Sequence, residues 1–503
     1  MGVINPVYGA ITPSQQQLTL QQNYLAFNTG AAGANDFIQQ YLPEVYEAEV
    51  ERYGNRTLSG FLTMVGAEMP MSSDQVIWSE QNRLHVSYQN CNLPVAGNAT
   101  ITIPTNAAVN QTAARNAIFP NDTIVVMNPA TGVTIKGIVG NVAVAAGPGV
   151  TTLTCYPFQS QTWGGLGAAT NNLKLFVYGS IFAKGTGAPQ TTLAGGAVKS
   201  IEPRFTQFSN QPIIIKDSFQ INGSDMAQIG WVEVATEDGT SGYLWYLKSE
   251  SETRLRFDDY LEMAMVEGEL AAASVAGSQL FSTQGANVPG FTIPGGAAVA
   301  HGTEGLFAAI QARGNVFTGF SAGTGVTDFD QVLKNLDTQG AIEENMLFLN
   351  RSLDLDFDDM LGQISAGFAG GTAYGLFENS QDMALNLGFS GFRRGSYDFY
   401  KTSWKYLNDA STRGGVAVNN IDGVLIPAGT STVYDQSLGT NIRRPFLHVR
   451  YRASQGDDRR YKNWITGSAG GAYTSAQDFM QVNWLSERCL ITQAANNFVL
   501  FQS

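Results

Sequence analysis

The chain has 503 residues, room for two to four domains at the usual ~100–200 residues each. Apolar residues make up 44% and charged residues only 14%. That charge content is far below the ~25% of ordinary soluble proteins, so much of the surface is neutral-polar or covered by other chains. A net charge of −13 argues against general affinity for nucleic acid, and Cys91, Cys155 and Cys489, odd in number and without CxxC spacing, argue against a disulfide framework or zinc knuckle.

Residues 1–33 are rich in Gln, Asn, Gly and Thr and read as an extended arm that gains order only on a neighbour. The opening MGVINPVYGAITPSQQQ lacks a basic segment ahead of an apolar core, so it is not expected to be a signal peptide. It also lacks the Ser or Thr of a myristoylation signal, and no run of ~18 apolar residues predicts a membrane span. Helical spacing of Tyr46, Val50 and Tyr53 predicts a helix over 34–55, interrupted at Pro43. A second helix is expected over 56–66, and QVIWSEQNRLHVSY (75–88) turns toward strand.

Residues 94–198 differ in kind. Short runs such as ATITIP, DTIVVMNP, GVTIKGIVG, NVAVAAG, GVTTLTCYPF and NLKLFVYGSIF alternate with Gly, Pro and Asn, which predicts an inserted small barrel or sandwich. Charge is scarce there, and the basic and aromatic interleaving that nucleic-acid or sugar binding needs is not visible. Long strands return over 199–224.

GYLWYLKSESETRLRFDDYLEMAMVEGEL (242–270) predicts one long helix, continuing to about 277. Its core stripe is Leu244, Leu247, Leu255, Leu261 and Met265. Its carboxylates read as a solvated or salt-bridged face, with local pairs Arg254–Asp258 and Arg256–Asp259, rather than as paired catalytic acids. A Gly/Pro-rich loop follows over 277–302; further on, helices are expected over 328–340 and 356–369, a buried strand over 345–350 and hairpin signals over 417–430. DLDFDD (354–359) has the spacing of a calcium loop but lacks its glycine and terminal Glu, so it reads as a strand end and a helix first turn. His85, His301 and His448 stand far apart, and no GxSxG, HExxH or P-loop occurs. No catalytic residue, metal ligand or cofactor site is therefore assigned. A basic run, Arg443, Arg444, Arg450, Arg452, Arg459, Arg460 and Lys462, is interrupted by Asp457 and Asp458 and suits an interface with acidic neighbours or an inner surface facing phosphate.

Several stretches resemble the major capsid proteins of crAss-like tailed bacteriophages: WSEQNRLHVSYQN (78–90), FQINGSDMAQIGWVEV (219–234), YLWYLKSESETRLRFDDYLE (243–262), NRSLDLDFDDML (350–361) and LGFSGFRRGSYDFYKTSWKYLND (387–409). The resemblance implies an α+β fold of the Hong Kong 97 capsid type. It would comprise an N-terminal arm (1–33), N-terminal helices of the peripheral domain (34–66) and an extended E-loop (67–224) carrying the β insertion at about 94–198. The peripheral domain (225–300) would hold the spine helix at about 241–277, the axial domain would span 301–435, and 436–503 would return to the peripheral domain. The implied role is a shell protein without catalysis or cofactor, found in the virion after assembly in the host cytoplasm. Its implied partners are copies of itself in hexamers and pentamers, a portal, auxiliary or decoration proteins, and DNA held weakly without sequence specificity; no membrane is expected. Another virion part (tail or decoration) and, further off, a carbohydrate-active surface enzyme are the alternatives.

Overall fold

The computed structural model describes most of residues 58–503. Outside the described residues lie 1–57, 59, 66, 82, 84, 95–98, 106–116, 145–149, 168–170, 186–204, 225–233, 236–240, 243, 272–301, 321–324, 341, 368–389, 417–419, 436–439, 470 and 472. The expected arm, the helix over 34–55 and the loop over 277–302 thus lie essentially outside them. The fold is mixed α+β and mostly sheet, in two compact units: residues 78–208, and the remainder, called the body here.

The chain enters through α1 (Phe61–Val65) and β1 (Glu68–Met71), then β2 (Val76–Gln81), which pairs with β9 (Phe205–Asn210) in a two-stranded ribbon. Between these strands lies the second unit. Its strands are β3 (Ser87–Cys91), β4 (Thr100–Ile103), β5 (Asp122–Met127), β6 (Thr134–Val144), β7 (Thr151–Pro157) and β8 (Leu173–Ser180). They run β3-β8-β5-β6-β7-β4, and Asn92 and Thr102 exchange backbone hydrogen bonds at 2.8 and 2.9 Å, closing β4 onto the end of β3 as a six-stranded barrel. Closure removes free sheet edges. Alternate residues fill the interior: Ile101, Ile103, Ile124, Val126, Val139, Leu153, Cys155, Leu173 and Leu175, with Trp163 donating from its indole to the Cys155 carbonyl at 3.0 Å. The runs GVTIKGIVG and NVAVAAG, separate in the sequence reading, share the single strand β6, with a bulge at Gly140 where pairing steps from Val139↔Cys155 to Asn141↔Thr154. A Cβ at Gly140 would stand 2.7 Å from the Tyr156 ring, so the glycine lets that ring lie against the strand as it does.

The body holds two small pairs, β11 (Val234–Ala235) with β12 (Ser241–Gly242) and β18 (Thr430–Asp435) with β19 (Thr440–Pro445), and two larger sheets. One is built on the 14-residue β22 (Phe479–Thr492), flanked by β10 (Ile213–Asn222) on one side and by β20 (Leu447–Arg452) and β21 (Lys462–Gly467) on the other, with β1 parallel to β20. Helix α2 (Leu244–Glu267) lies on it, and Phe257 and Leu261 pack on Val482, Trp484, Ile215 and Phe219. At ~1.5 Å per residue its 24 residues span about 36 Å.

The helix ends at Glu267, ten residues short of the expected 277. There the backbone of 302–305 crosses it: the Gly305 amide donates to the Gly268 carbonyl at 2.8 Å, and Gly302 (φ +113°) comes so near that a Cβ would lie 2.2 Å from the Glu269 carbonyl. A continued helix would occupy that space.

The second sheet runs β13-β23-β17-β14-β16-β15: β13 (Asn315–Thr318), β14 (Glu344–Leu349), β15 (Ser390–Arg394), β16 (Tyr397–Ser403), β17 (Ile421–Pro427) and β23 (Val499–Gln502). The last strand of the chain thus pairs here, beside β17, and not in the first sheet. Both faces are covered. Leu347, Leu349, Phe399 and Phe501 pack with helices α4 (Gly325–Gln339) and α5 (Arg351–Gly367) through Phe329 and Phe357. The alternating residues Met346, Phe348, Val424 and Leu500 join a core with α3 (Leu306–Arg313), α1 and α6 (Lys405–Asn408) that continues to Leu447, Val449 and Leu490 of the first sheet.

Candidate functional site

The carboxylates of α2 are the first candidate. Thr253, Phe257, Leu261 and Met265 recur every four residues and form its buried face. Leu255, expected in the stripe, is 39% exposed: it lies two residues from Phe257, about 200° around the helix. Phe257 takes that place beside the buried Leu261 and Met265, and the side chains of Leu244 and Leu247 lie outside the described residues.

The acids are not a plain wet face. Asp259 Oδ1 accepts the Leu58 amide at 2.6 Å, Glu262 Oε1 accepts the Gly60 amide, and Glu262 Oε2 accepts the Phe61 amide at 3.3 Å. The first amides of a helix lack partners within it, so α1 is capped by carboxylates some two hundred residues away. Burial pushes the Glu262 carboxyl up to about 7, against the opposing pull of the amides, and burial also raises Asp258. One turn on, Glu267 accepts the Tyr406 hydroxyl at 2.6 Å and pairs with Arg413 at 3.1 Å. Arg256 pairs with Asp217 of β10 at 2.9 Å and 3.0 Å, in place of the expected Asp259. These groups fasten α1, β10 and α6 to one helix.

The basic run is the second candidate. Buried Glu487 of β22 lies between Arg452 (3.2 Å) and Arg459 (2.8 Å). Glu68 of β1 pairs with Arg460 and, at 3.4 Å, with buried Arg488, which also donates to Ser486 Oγ and the Arg460 carbonyl. Arg452 also meets Asp74, Lys462 pairs with Asp457 at 2.7 Å, and Arg450 donates to the Pro70 carbonyl at 3.3 Å. The charges therefore meet partners in their own chain, across β1, β20 and β22. The side chains of Arg443 and Arg444 lie outside the described residues. Glu68, Asp74, Glu487 and Arg488 were not visible as members, because nothing local in the sequence links them to the run.

DLDFDD lies within α5, which starts at Arg351 behind an Asn350 cap whose Oδ1 accepts the Leu353 amide at 2.7 Å. Asp354 and Asp358, one turn apart, hold Lys401, only 5% exposed, at 2.8 and 2.6 Å. Among the described residues no group of three or more His, Cys, Asp or Glu is placed to hold a metal ion, and no helix is long and apolar enough to cross a membrane. All three cysteines are buried, and burial pushes their thiols up to about 12.

The barrel holds a third feature that the sequence conceals. Tyr156, Phe158, Phe176 and Tyr178 are 54, 49, 45 and 49% exposed on its outer face, with Lys136 6.0 Å from the Tyr178 ring centroid. The basic and aromatic mixture missing along the sequence is assembled by strand pairing.

No protein-family model matches the chain, and neither does any curated protein. Among solved structures, the chain is similar to one from Microbacterium phage Oxtober96 at 8% identity, over 93% of this chain and 97% of that one, with a TM-score of 0.36. It is similar to the asymmetric unit of the bacteriophage PhiM1 mature capsid at 7% identity, over 98% of both chains, with a TM-score of 0.35. A structure from Mycobacterium phage Bobi follows at 8% identity, over 91% and 95%, with a TM-score of 0.34.

Proposed function

We propose that this chain is a major capsid protein of a tailed bacteriophage, of the Hong Kong 97 type and akin to those of crAss-like phages, that assembles into the icosahedral shell around double-stranded DNA. The observation that carries the reading is the join between motif and fold. YLWYLKSESETRLRFDDYLE, one of the stretches that resemble crAss-like capsid proteins, supplies the long helix α2, laid on a sheet from which the chain departs after β1 and to which it returns at β10, with the barrel inserted between. On this reading residues 67–224 are the E-loop, 225–300 with α2 as spine and 436–503, less the strand β23 that joins the second sheet, build the peripheral domain, and 301–435 the axial domain. Low charge content suits a surface that neighbouring copies cover. Copies of itself in hexamers and pentamers are its main partners, with a portal and auxiliary proteins docking on the shell. The net charge of −13, with the described basic run paired internally, suits a wall that holds DNA only weakly.

Electron microscopy of the purified chain tests this. Icosahedral shells or hexamers are expected; tubes, trimers or monomers at every concentration would overturn it.

A further inference from the structure

Residues 78–208 contain seven Lys and Arg but only three Asp and Glu, a net of +4. The rest of the chain, by difference from −13, carries −17. The barrel is thus a small cationic unit in an acidic protein.

Among the described residues, its exposed aromatic rings lie on one face. Register aligns Phe176 of β8 with Val125 of β5, and Val125 with Lys136 of β6. Just beyond β7, the Phe158 amide donates to the Lys136 carbonyl at 3.0 Å, which brings Phe158 to the end of that row. The next outward row holds Thr123, Ile138 and Tyr156, with Tyr178 beside Thr123 at the β8 bulge. Val125 and Thr123 are already buried beneath this layer, while the four rings stay about half exposed with the whole chain present. Lys174, two residues before Phe176 on the same face of β8, adds a second exposed cation. The outward residues of β5, β6, β7 and β8 include no acid.

We propose that this outer face is a docking surface for the acidic body of a second copy of this chain. Aromatic rings fixed on a closed sheet lose little conformational freedom on binding, and rings with few charges are the usual core of a protein interface. The two lysines and the barrel's net positive charge match the other copy's body in sign and steer it to this face. A nucleic-acid strand fits less well: two lysines are few for a phosphate backbone, and the chain as a whole repels it. The inference rests on the shell reading and adds which surface of the insertion holds copies together.

Hydroxyl-radical footprinting of the full-length chain, assembled and dissociated, tests it. Tyr156, Phe176 and Tyr178 should lose most of their reactivity on assembly. The double variant K136E/K174E should need a higher concentration to assemble while unfolding at the same temperature as the parent chain. Equal reactivity of Tyr156 and Tyr178 in both states would overturn the inference alone. So would protection of the dissociated chain by a single-stranded oligonucleotide with none on assembly. A chain that never assembles would overturn the shell reading as well.

Discussion

The barrel and the body solve the same problem, a stable interior, in opposite ways. The barrel's core cluster carries no charge, only apolar side chains, thiols, the Tyr88 hydroxyl and the Trp163 indole, and its pairings β5–β6 and β6–β7 link strands that are near in sequence. The body buries Lys401, Asp354, Glu487 and Arg488 and caps a helix with Glu262, each set against a group from a different segment. The difference shows where charge can be spent in a charge-poor chain: in the body, ion pairs fasten distant segments together, whereas the buried Asp122 of the barrel accepts the amide of nearby Phe119, at 2.8 Å.

Trp163→Ala should be the harshest change, costing about 3–5 kcal/mol through the cavity and the orphaned Cys155 carbonyl. Calorimetry should show a barrel transition that falls while the body's stays; a joint fall would break the comparison. Lys401→Ala should strike the body alone, by up to about 3 kcal/mol, since it removes the buried cation of Asp354 and leaves it only the exposed Arg351 at 3.3 Å. Equal stability of that variant and the parent in urea would remove the argument from ion pairs.

Glu262 sharpens the comparison through pH. Its folded pKa, about 7, lies above its ordinary 4.5, so the neutral carboxyl is the form folding favours. Its contribution is fully present below about pH 4.5 and is lost as pH rises through about 7, on the order of 3 kcal/mol. Glu262→Gln should flatten the body's stability between these limits and leave the barrel's profile alone. The smallest effect belongs to Leu255→Ala, within about 0.5 kcal/mol because the side chain is exposed, against several kcal/mol for Phe257→Ala. The reverse order in thermal unfolding would restore the stripe read from sequence.

The strands of the barrel were legible because each needs only alternation and a nearby turn: ATITIP, DTIVVMNP and NLKLFVYGSIF became β4, β5 and β8. The long helix was legible for the same local reason, but not its buried face, because Leu255 and Phe257 are equally apolar and only the sheet beneath selects one. FMQVNWLSERCLIT, the centre of the first sheet, did not stand out as a strand, since Asn483, Glu487 and Arg488 interrupt its apolar run. Their partners come from β1, β20 and the segment after it, hundreds of residues away in sequence for Glu68.

By itself, then, the sequence determined element types, the inserted barrel, the charge-poor character and the capsid-like motifs, since all of these are set by neighbours along the chain. Only the tertiary structure decided which acids cap α1, which acids neutralise the basic run, where α2 stops and which rings share the barrel's outer face. Those outcomes depend on side chains brought within a few ångströms by folding, and no local period encodes that meeting.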